Sequence, residues 1–404
     1  MKILFVAMPS SIHSVRWITQ LNDSNWDIHL FPSDDSQLNT TMPQLTFHQH
    51  FAKLKFMLPQ ITYKPIYTIN GTNIIAKIFR RLQWFYINQF KSYLLTNENS
   101  LVHTIQKIKP DIIHSLETQL AGYITLEAKK KIGQDFPIWI HSNWGSDIFL
   151  FARLKKHQER VKEVLLNCNY YFCECNRDIN LAHQYGFQGE VLPVFPNTGG
   201  LKLEELNKLK KEGKTSQRHI IMLKGYNSWA GRGIVGLRAL ERCKDLLKDY
   251  QIIIYSNDSI DMHIAAELFY LNTNIQVRIL PKGTSHEEIM SWHGQARISI
   301  GLSISDAIST SFLEAITMGS FPIQSYTSCA NEWIKDGETG LLVPPEDVEI
   351  IEQAIRKALT NNNLVDIAAE KNYQTVSDRL EYNKVQKKAV QMYENIYQKI
   401  KNRK

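Results

Sequence analysis

The stretch from Ser299 to Pro345 reads SIGLSISDAISTSFLEAITMGSFPIQSYTSCANEWIKDGETGLLVPP. An apolar run that opens at Ala296 ends near Leu302, and the polar loop SISDAISTS follows it. A helix is then expected from about Thr310, with Glu314 in its first turns and Gly319 ending it, before a second strand at Phe321–Gln324. Strand, loop, helix, strand within so few residues is the repeating unit of a parallel sheet with crossover helices.

The same alternation runs through the whole chain. In the first half, strands are expected at Lys2–Ala7, Asp27–Phe31, Asp111–Ser115, Pro137–His141, Tyr170–Glu174 and Gly189–Val194. In the second they are expected at His219–Lys224, Gln251–Ser256, Ile275–Leu280, Ala296–Leu302, Phe321–Gln324 and Gly340–Val343. The fold class is α/β with two doubly wound, Rossmann-like domains. A chain of 404 residues also exceeds what one hydrophobic core normally supports, which predicts two domains of roughly 200 residues.

The expected division is 1–197 for the first domain, 198–218 for a charged connecting stretch after the pair Gly199-Gly200, and 219–375 for the second domain. A long polar-faced helix is expected over 376–404. Residues 48–95 break the alternation with aromatic side chains and Lys53, Lys55, Lys64, Lys77, Arg80 and Arg81, and read as an insertion. Its stretch from Ile74 to Leu94 suits a helix packed on the first domain, and leaves peripheral contact with a membrane open.

Composition excludes several classes. Apolar residues are 43% and charged residues 22% of the chain, which describes a globular protein and not a disordered one. Basic residues exceed acidic ones by 47 to 40, a modest excess suited to anionic small molecules or an anionic membrane face. No dense basic stripe points to nucleic acid. Five cysteines are too few for a disulfide framework and suit a reducing, cytoplasmic setting. Cys168, Cys173 and Cys175 read as buried thiols, so no metal is assigned. The opening MKILFVAMPSS reads as a first strand and not a leader, and no run approaches the ~20 apolar residues of a membrane span.

Chemistry concentrates in the loop after the strand at 296–302. Ser309, Thr310 and Ser311 surround a helix start whose unpaired amides and positive dipole end suit a diphosphate. Asp306 and Glu314 stand with seven residues between them, and DGETGLLVPP follows. In this arrangement the chain resembles the family 4 (group 1) retaining glycosyltransferases of the GT-B fold, whose hallmark is Glu, seven residues, Glu. The first carboxylate here is Asp. The resemblance implies that Glu314 holds ribose hydroxyls of a nucleotide and that Asp306, with the amides after it, holds the donor sugar. It also implies two domains facing across a cleft, with the helix over 376–404 returning to the first domain.

The same resemblance covers HIIMLKGYNSWAGRGIVGLRAL, where the family carries an Arg after the strand and a Lys before the helix to neutralise the donor diphosphate. Lys224 and Arg232 stand there with their types exchanged. SHEEIMSWHGQARISIGLS matches the family's approach to the donor site, while His286 and His293 on it show no partner in sequence. In the first domain the likeness rests on KPDIIHS, on WGSD and on CNYYFCECNRDINLAHQYGF. Trp144 replaces the His of the family's His-Gly-any-Asp pattern, and the loop after the first strand lacks the family's paired glycines. Asn143, Trp144, Asp147, His13 and Arg16 are the expected contacts to acceptor or sugar.

The implied reaction transfers a sugar, with retention, from a nucleotide-diphosphate-sugar to a glycan or lipid-linked glycan, with surface polysaccharide such as O-antigen or capsule as the context. Lys224, Arg232, Asp306 and Glu314 are its expected catalytic residues. The nucleotide-sugar is a cosubstrate, and no further cofactor or metal is implied. Two other readings stay open: an epimerase or hydrolase of nucleotide-sugars, and a non-catalytic binder.

Overall fold

The computed structural model describes residues 1–34, 36, 38, 45–48, 97–257 and 259–402. The basic, aromatic stretch of the insertion expected at 48–95 therefore lies outside the described residues, apart from His48. The chain divides into two compact units. The first comprises 1–173, 178–199 and 388–404, and the second comprises 174–177 and 200–387.

The first unit is a parallel sheet of β1 (Lys2–Ala7), β2 (Asp27–Pro32), β3 (Leu45–Phe47), β4 (Ile112–Leu116), β5 (Ile138–Ser142), β6 (Tyr170–Phe172) and β7 (Glu190–Val191). Their order is β3-β2-β1-β4-β5-β6-β7. The second is a parallel sheet of β8 (Ile220–Lys224), β9 (Gln251–Tyr255), β10 (Val277–Ile279), β11 (Ala296–Gly301), β12 (Phe321–Ser325) and β13 (Leu341–Val343), ordered β10-β9-β8-β11-β12-β13. All twelve expected strands form, with ends displaced by at most three residues, and among the described residues only β3 was not expected.

Central strands such as β1 and β11 are buried along almost their whole length, because helices cover both faces of a parallel sheet; β1 is apolar, and β11 buries Arg297 and Ser299 between its apolar residues. In the first unit Leu4, Val6, Ile113 and Trp139 pack against Leu101 and Ile105 of one helix and Val161 and Leu165 of another. In the second, Ile221, Leu223, Ile298 and Ile300 pack against Leu237 and Leu240 on one side chain layer and Ile351 and Ile355 from the helix Val348–Thr360. Each sheet reverses its winding once, between β1 and β4 and between β8 and β11. Loops leaving the carboxyl ends of these strands part there, which opens a crevice for a ligand.

The connecting stretch expected at 198–218 is corrected by the packing. The chain leaves the first unit at Gly199 and enters the second at Gly200, whose φ values of +76° and +73° suit glycine. Beyond that point Leu201 N donates to Leu380 O, and the buried Thr215 and Arg218 donate to the carbonyls of Gly319 and Met318. The segment is charged at intervals only, so its apolar and hydroxyl side chains fold inward. The tail rejoins the first unit later than 376, at Lys388.

Candidate functional site

In the second unit the site is assembled around the winding reversal of β8 and β11. Loop 225–232 after β8 is fastened to loop 302–309 after β11: Arg232 N donates to Leu302 O at 3.0 Å, and Ile304 N donates to Ala230 O at 2.9 Å. Gly231 and Ser303 pair in an isolated bridge. Lys224, the last residue of β8, reaches across and donates to Ser309 Oγ at 3.3 Å. Ser309 Oγ in turn lies 2.9 Å from Ser311 Oγ, and the hydroxyl of buried Tyr255 also bonds the Ser311 side chain.

Ser309 occupies the cap position of the helix Thr310–Thr317, yet its side chain makes no hydrogen bond to that helix's amides. A serine there ordinarily closes the first turn. Here the hydroxyl is turned toward Lys224 and Ser311, so the helix presents its positive end beside an ammonium group. That combination suits a phosphate. Lys224, Ser309 and Ser311, expected together from sequence, are joined in one chain of contacts.

Glu314 lies one turn along the same helix and is buried, only 6% exposed. His286 Nε2 donates to its Oε1 at 2.6 Å. His286 had no partner in sequence, and this contact corrects that reading. It opens the helix His286–Gln295, which Ser285 caps, and folding brings it onto a carboxylate 28 residues away. His293 on the same helix is buried against Ser299 and Tyr255, and burial pushes its pKa down to about 4.

Arg232 bonds Glu346 through Nε at 2.7 Å and the carbonyl of Gly231 at 2.9 Å. Glu346 stands directly after the GLLVPP strand and is largely exposed, so this guanidinium is held at the rim of the loop. Asp306 accepts from Ala307 N at 2.9 Å, and its carbonyl accepts from Arg177 Nη2 at 2.7 Å. Arg177 also donates to Thr327 O. It therefore ties the Asp306 loop to the next one, a role that no motif signals.

In the first unit the expected residues fall into two groups. Asn143 and Asp147 are 1% and 4% exposed and fully engaged. Asn143 donates to Asp178 and accepts from Gly145 N, while Asp147 accepts from Trp144 N, Thr118 N and Thr118 Oγ1. These contacts of their carboxamide and carboxylate shape the loop around them. Trp144 is half-buried, with His13 edge-on at 5.6 Å between ring centroids. Arg16 lies one turn beyond His13 on the helix Ile12–Thr19.

Glu117, which sequence reasoning missed, directly follows β4 with a positive φ of 76°. Its carboxylate accepts from the amides of Gln119, Leu120 and Ala121. Burial and the charge of Asp147 push its pKa up to about 8 against those three amides. Asp147 itself is raised to about 6 by burial, and His141, between Ser115 and Thr118, is pushed down to about 3. An acid directly after a buried strand was the available signal for Glu117.

Metal-ligating groups also meet away from these loops. Among the described residues, Cys175, Cys329 and Glu332 bring ligand atoms within 4.8 Å of one another. The Glu332 carboxylate is already bonded to Asn176 N, Asn176 Nδ2 and Arg177 N, so it fixes the 174–177 segment. No helix among the described residues is long and apolar enough to cross a membrane.

Comparison with known proteins adds the family. Residues 238–375 match the family model for glycosyl transferases group 1, and residues 2–98 and 88–175 match glycosyl transferase 4-like. No curated protein matches the chain in sequence. Among solved structures it is similar to sucrose-phosphate synthase from Thermosynechococcus elongatus, at 15% identity and TM-score 0.70, covering 98% of this chain and 99% of that one. It is also similar to HepE of Anabaena in complex with UDP and glucose, at 13% identity and TM-score 0.66, covering 98% and 99%. A third is a UDP-forming trehalose-phosphate synthase from Burkholderia xenovorans, at 10% identity and TM-score 0.68, covering 98% and 99%. At these identities the likeness establishes the fold, which is GT-B.

Proposed function

Since the chain belongs to the group 1, GT4-like glycosyltransferases, we propose that it moves a sugar, with retention of configuration, from a nucleotide-diphosphate-sugar to a glycan or glycolipid. The observation that carries this reading is the contact chain Lys224–Ser309–Ser311 at the uncapped start of the helix Thr310–Thr317, with Glu314 one turn further. Breaking the glycosidic bond leaves negative charge on the departing diphosphate. Cationic groups and fixed amides aimed at that charge lower the barrier more than they stabilise the resting donor.

In this reading Lys224 and the first-turn amides take the diphosphate, and Arg232 adds a second cation without a divalent metal. Glu314, held by His286, accepts from ribose hydroxyls. Asp306 faces the donor sugar, one methylene shorter than the family's Glu. A diphosphate oxygen receives the acceptor's proton, so no side-chain base is assigned. Trp144 and His13 serve the acceptor side, with Arg16 beside them. A hexosyl donor, and work at the cytoplasmic face of a membrane in surface polysaccharide assembly, complete the proposal. HepE is recorded with UDP and with UDP-glucose, which makes uridine diphosphate sugars the first donors to try.

The test is a thermal-shift panel of nucleotide-sugars on wild type and Glu314→Ala. A donor at 100 times its Kd should add about 2.7 kcal/mol to the stability of the folded state. Stabilisation by one nucleotide-sugar, lost in Glu314→Ala, is the expected outcome. No response to any donor sinks the proposal, and nucleotide release without any acceptor turns it toward a hydrolase.

A further inference from the structure

The helix Ile260–Thr273 has two apolar sides. Met262, Ala266 and Phe269 are buried in the core of the second unit. On the opposite side Ile260 is 76% exposed, Ile264 53%, Leu268 54% and Leu271 75%. Positions i, i+4, i+8 and i+11 lie on one face, so these side chains form a continuous stripe roughly 17 Å long. Outside this helix, the exposed large apolar side chains among the described residues stand singly on separate elements, as is ordinary for a soluble surface.

We propose that this stripe is a homodimer interface, in which the helix Ile260–Thr273 of one copy packs antiparallel on the same helix of its partner. Three observations select a second copy as the occupant. The first is area. The four side chains of the stripe expose roughly 500 Å² in total, taking about 200 Å² for a fully exposed side chain of this size. Two copies then bury about 1,000 Å², the lower bound for a specific interface.

The second observation is charge. The helix IDMHIAAELFYLNT carries Asp261 and Glu267 and neither Lys nor Arg. A helix that lies on a membrane needs cations on its polar side to meet lipid phosphates. This one would set carboxylates against them. The third is symmetry. The stripe is straight and similar at both ends, so a two-fold axis near its middle sets Ile260 of one copy against Leu271 of its partner and opposes the two helix dipoles.

The test uses the full chain. Sedimentation equilibrium should give twice the chain mass of 46.8 kDa for wild type. Replacing Ile264 and Leu271 together by Asp should weaken association at least tenfold while the far-ultraviolet circular dichroism stays unchanged and the concentration dependence of Tm is lost. Glu267 flanks the stripe close to the two-fold axis, where the carboxylates of the two copies repel each other, so association should tighten with added salt and Glu267→Cys should be joined to its own copy by a short bismaleimide. The five native cysteines, all buried, give little background. A monomeric wild type at tens of micromolar overturns the proposal, as does a double variant that remains dimeric. A monomer that sediments with phosphatidylcholine vesicles only when the stripe is intact overturns it too, and assigns the face to lipid. None of these measurements depends on the donor site.

Discussion

His141 shows how a residue's environment sets its chemistry. It sits in β5, fully buried, with Ser115 Oγ 2.9 Å from Nδ1 and Thr118 Oγ1 3.0 Å from Nε2. Burial disfavours the imidazolium, so the folded pKa falls to about 3 while the unfolded chain keeps the ordinary value of 6.5. Between those limits the unfolded state binds the extra proton. Stability from this group is therefore present above the unfolded value and is lost as pH falls toward 3. Chemical denaturation of wild type and His141→Asn across pH 4 to 6.5 should show a wild-type slope steeper by up to about 1.4 kcal/mol per pH unit. Equal slopes would mean that the imidazole is not excluded from protonation. Glu117 and Asp147, with raised values, act in the opposite sense and cancel in the difference. Glu314 and Lys224 were legible in sequence because a motif and a spacing pointed to them. His286 and Glu117 were not, since one acquires its partner only on folding and the other is defined by a backbone turn.

At the scale of the element, the strand–loop–helix at 220–242 carries most of the donor-site argument. Its strand and helix were legible from apolar runs and a glycine-containing loop. The path of the loop was not, because its bonds to Leu302 and Ser303 come from the loop after β11. Gly231 makes that path possible. A Cβ there would lie 2.2 Å from the carbonyl oxygen of Tyr226, far inside van der Waals contact and against backbone that cannot rotate away. Gly231→Ala should therefore displace the loop, separate Arg232 N from Leu302 O and cost about 1–3 kcal/mol of second-unit stability. Calorimetric titration should show donor binding weakened about tenfold or more. Unchanged affinity would remove this loop from the donor site.

Across the whole molecule, the last residues of the chain complete the first unit. Tyr393 lies on the final helix, fully buried, where its hydroxyl accepts from Trp17 Nε1 at 2.9 Å and lies 2.6 Å from His114 Nδ1. Tyr393→Phe should leave both ring nitrogens buried without a partner and lower first-unit stability by about 1–3 kcal/mol. Near-ultraviolet circular dichroism during denaturation should detect the loss in the Trp17 signal, and an unshifted transition would contradict it. That tail was expected to return, but its point of return was not readable, since the helix Tyr382–Lys401 is polar-faced throughout and periodicity alone does not say which unit receives each turn. By itself the sequence determined the strands, the presence of two domains and the carboxylate spacing of the candidate site, because apolar period, glycine placement and carboxylate spacing are local properties that survive in a linear string. Only the tertiary structure decided that Glu314 meets His286, that Glu117 is strained beside Asp147, and that Gly200 to Arg218 belongs to the second unit. Each of those depends on burial and on hydrogen bonds between residues distant in the chain, and neither exists until the sheets have packed.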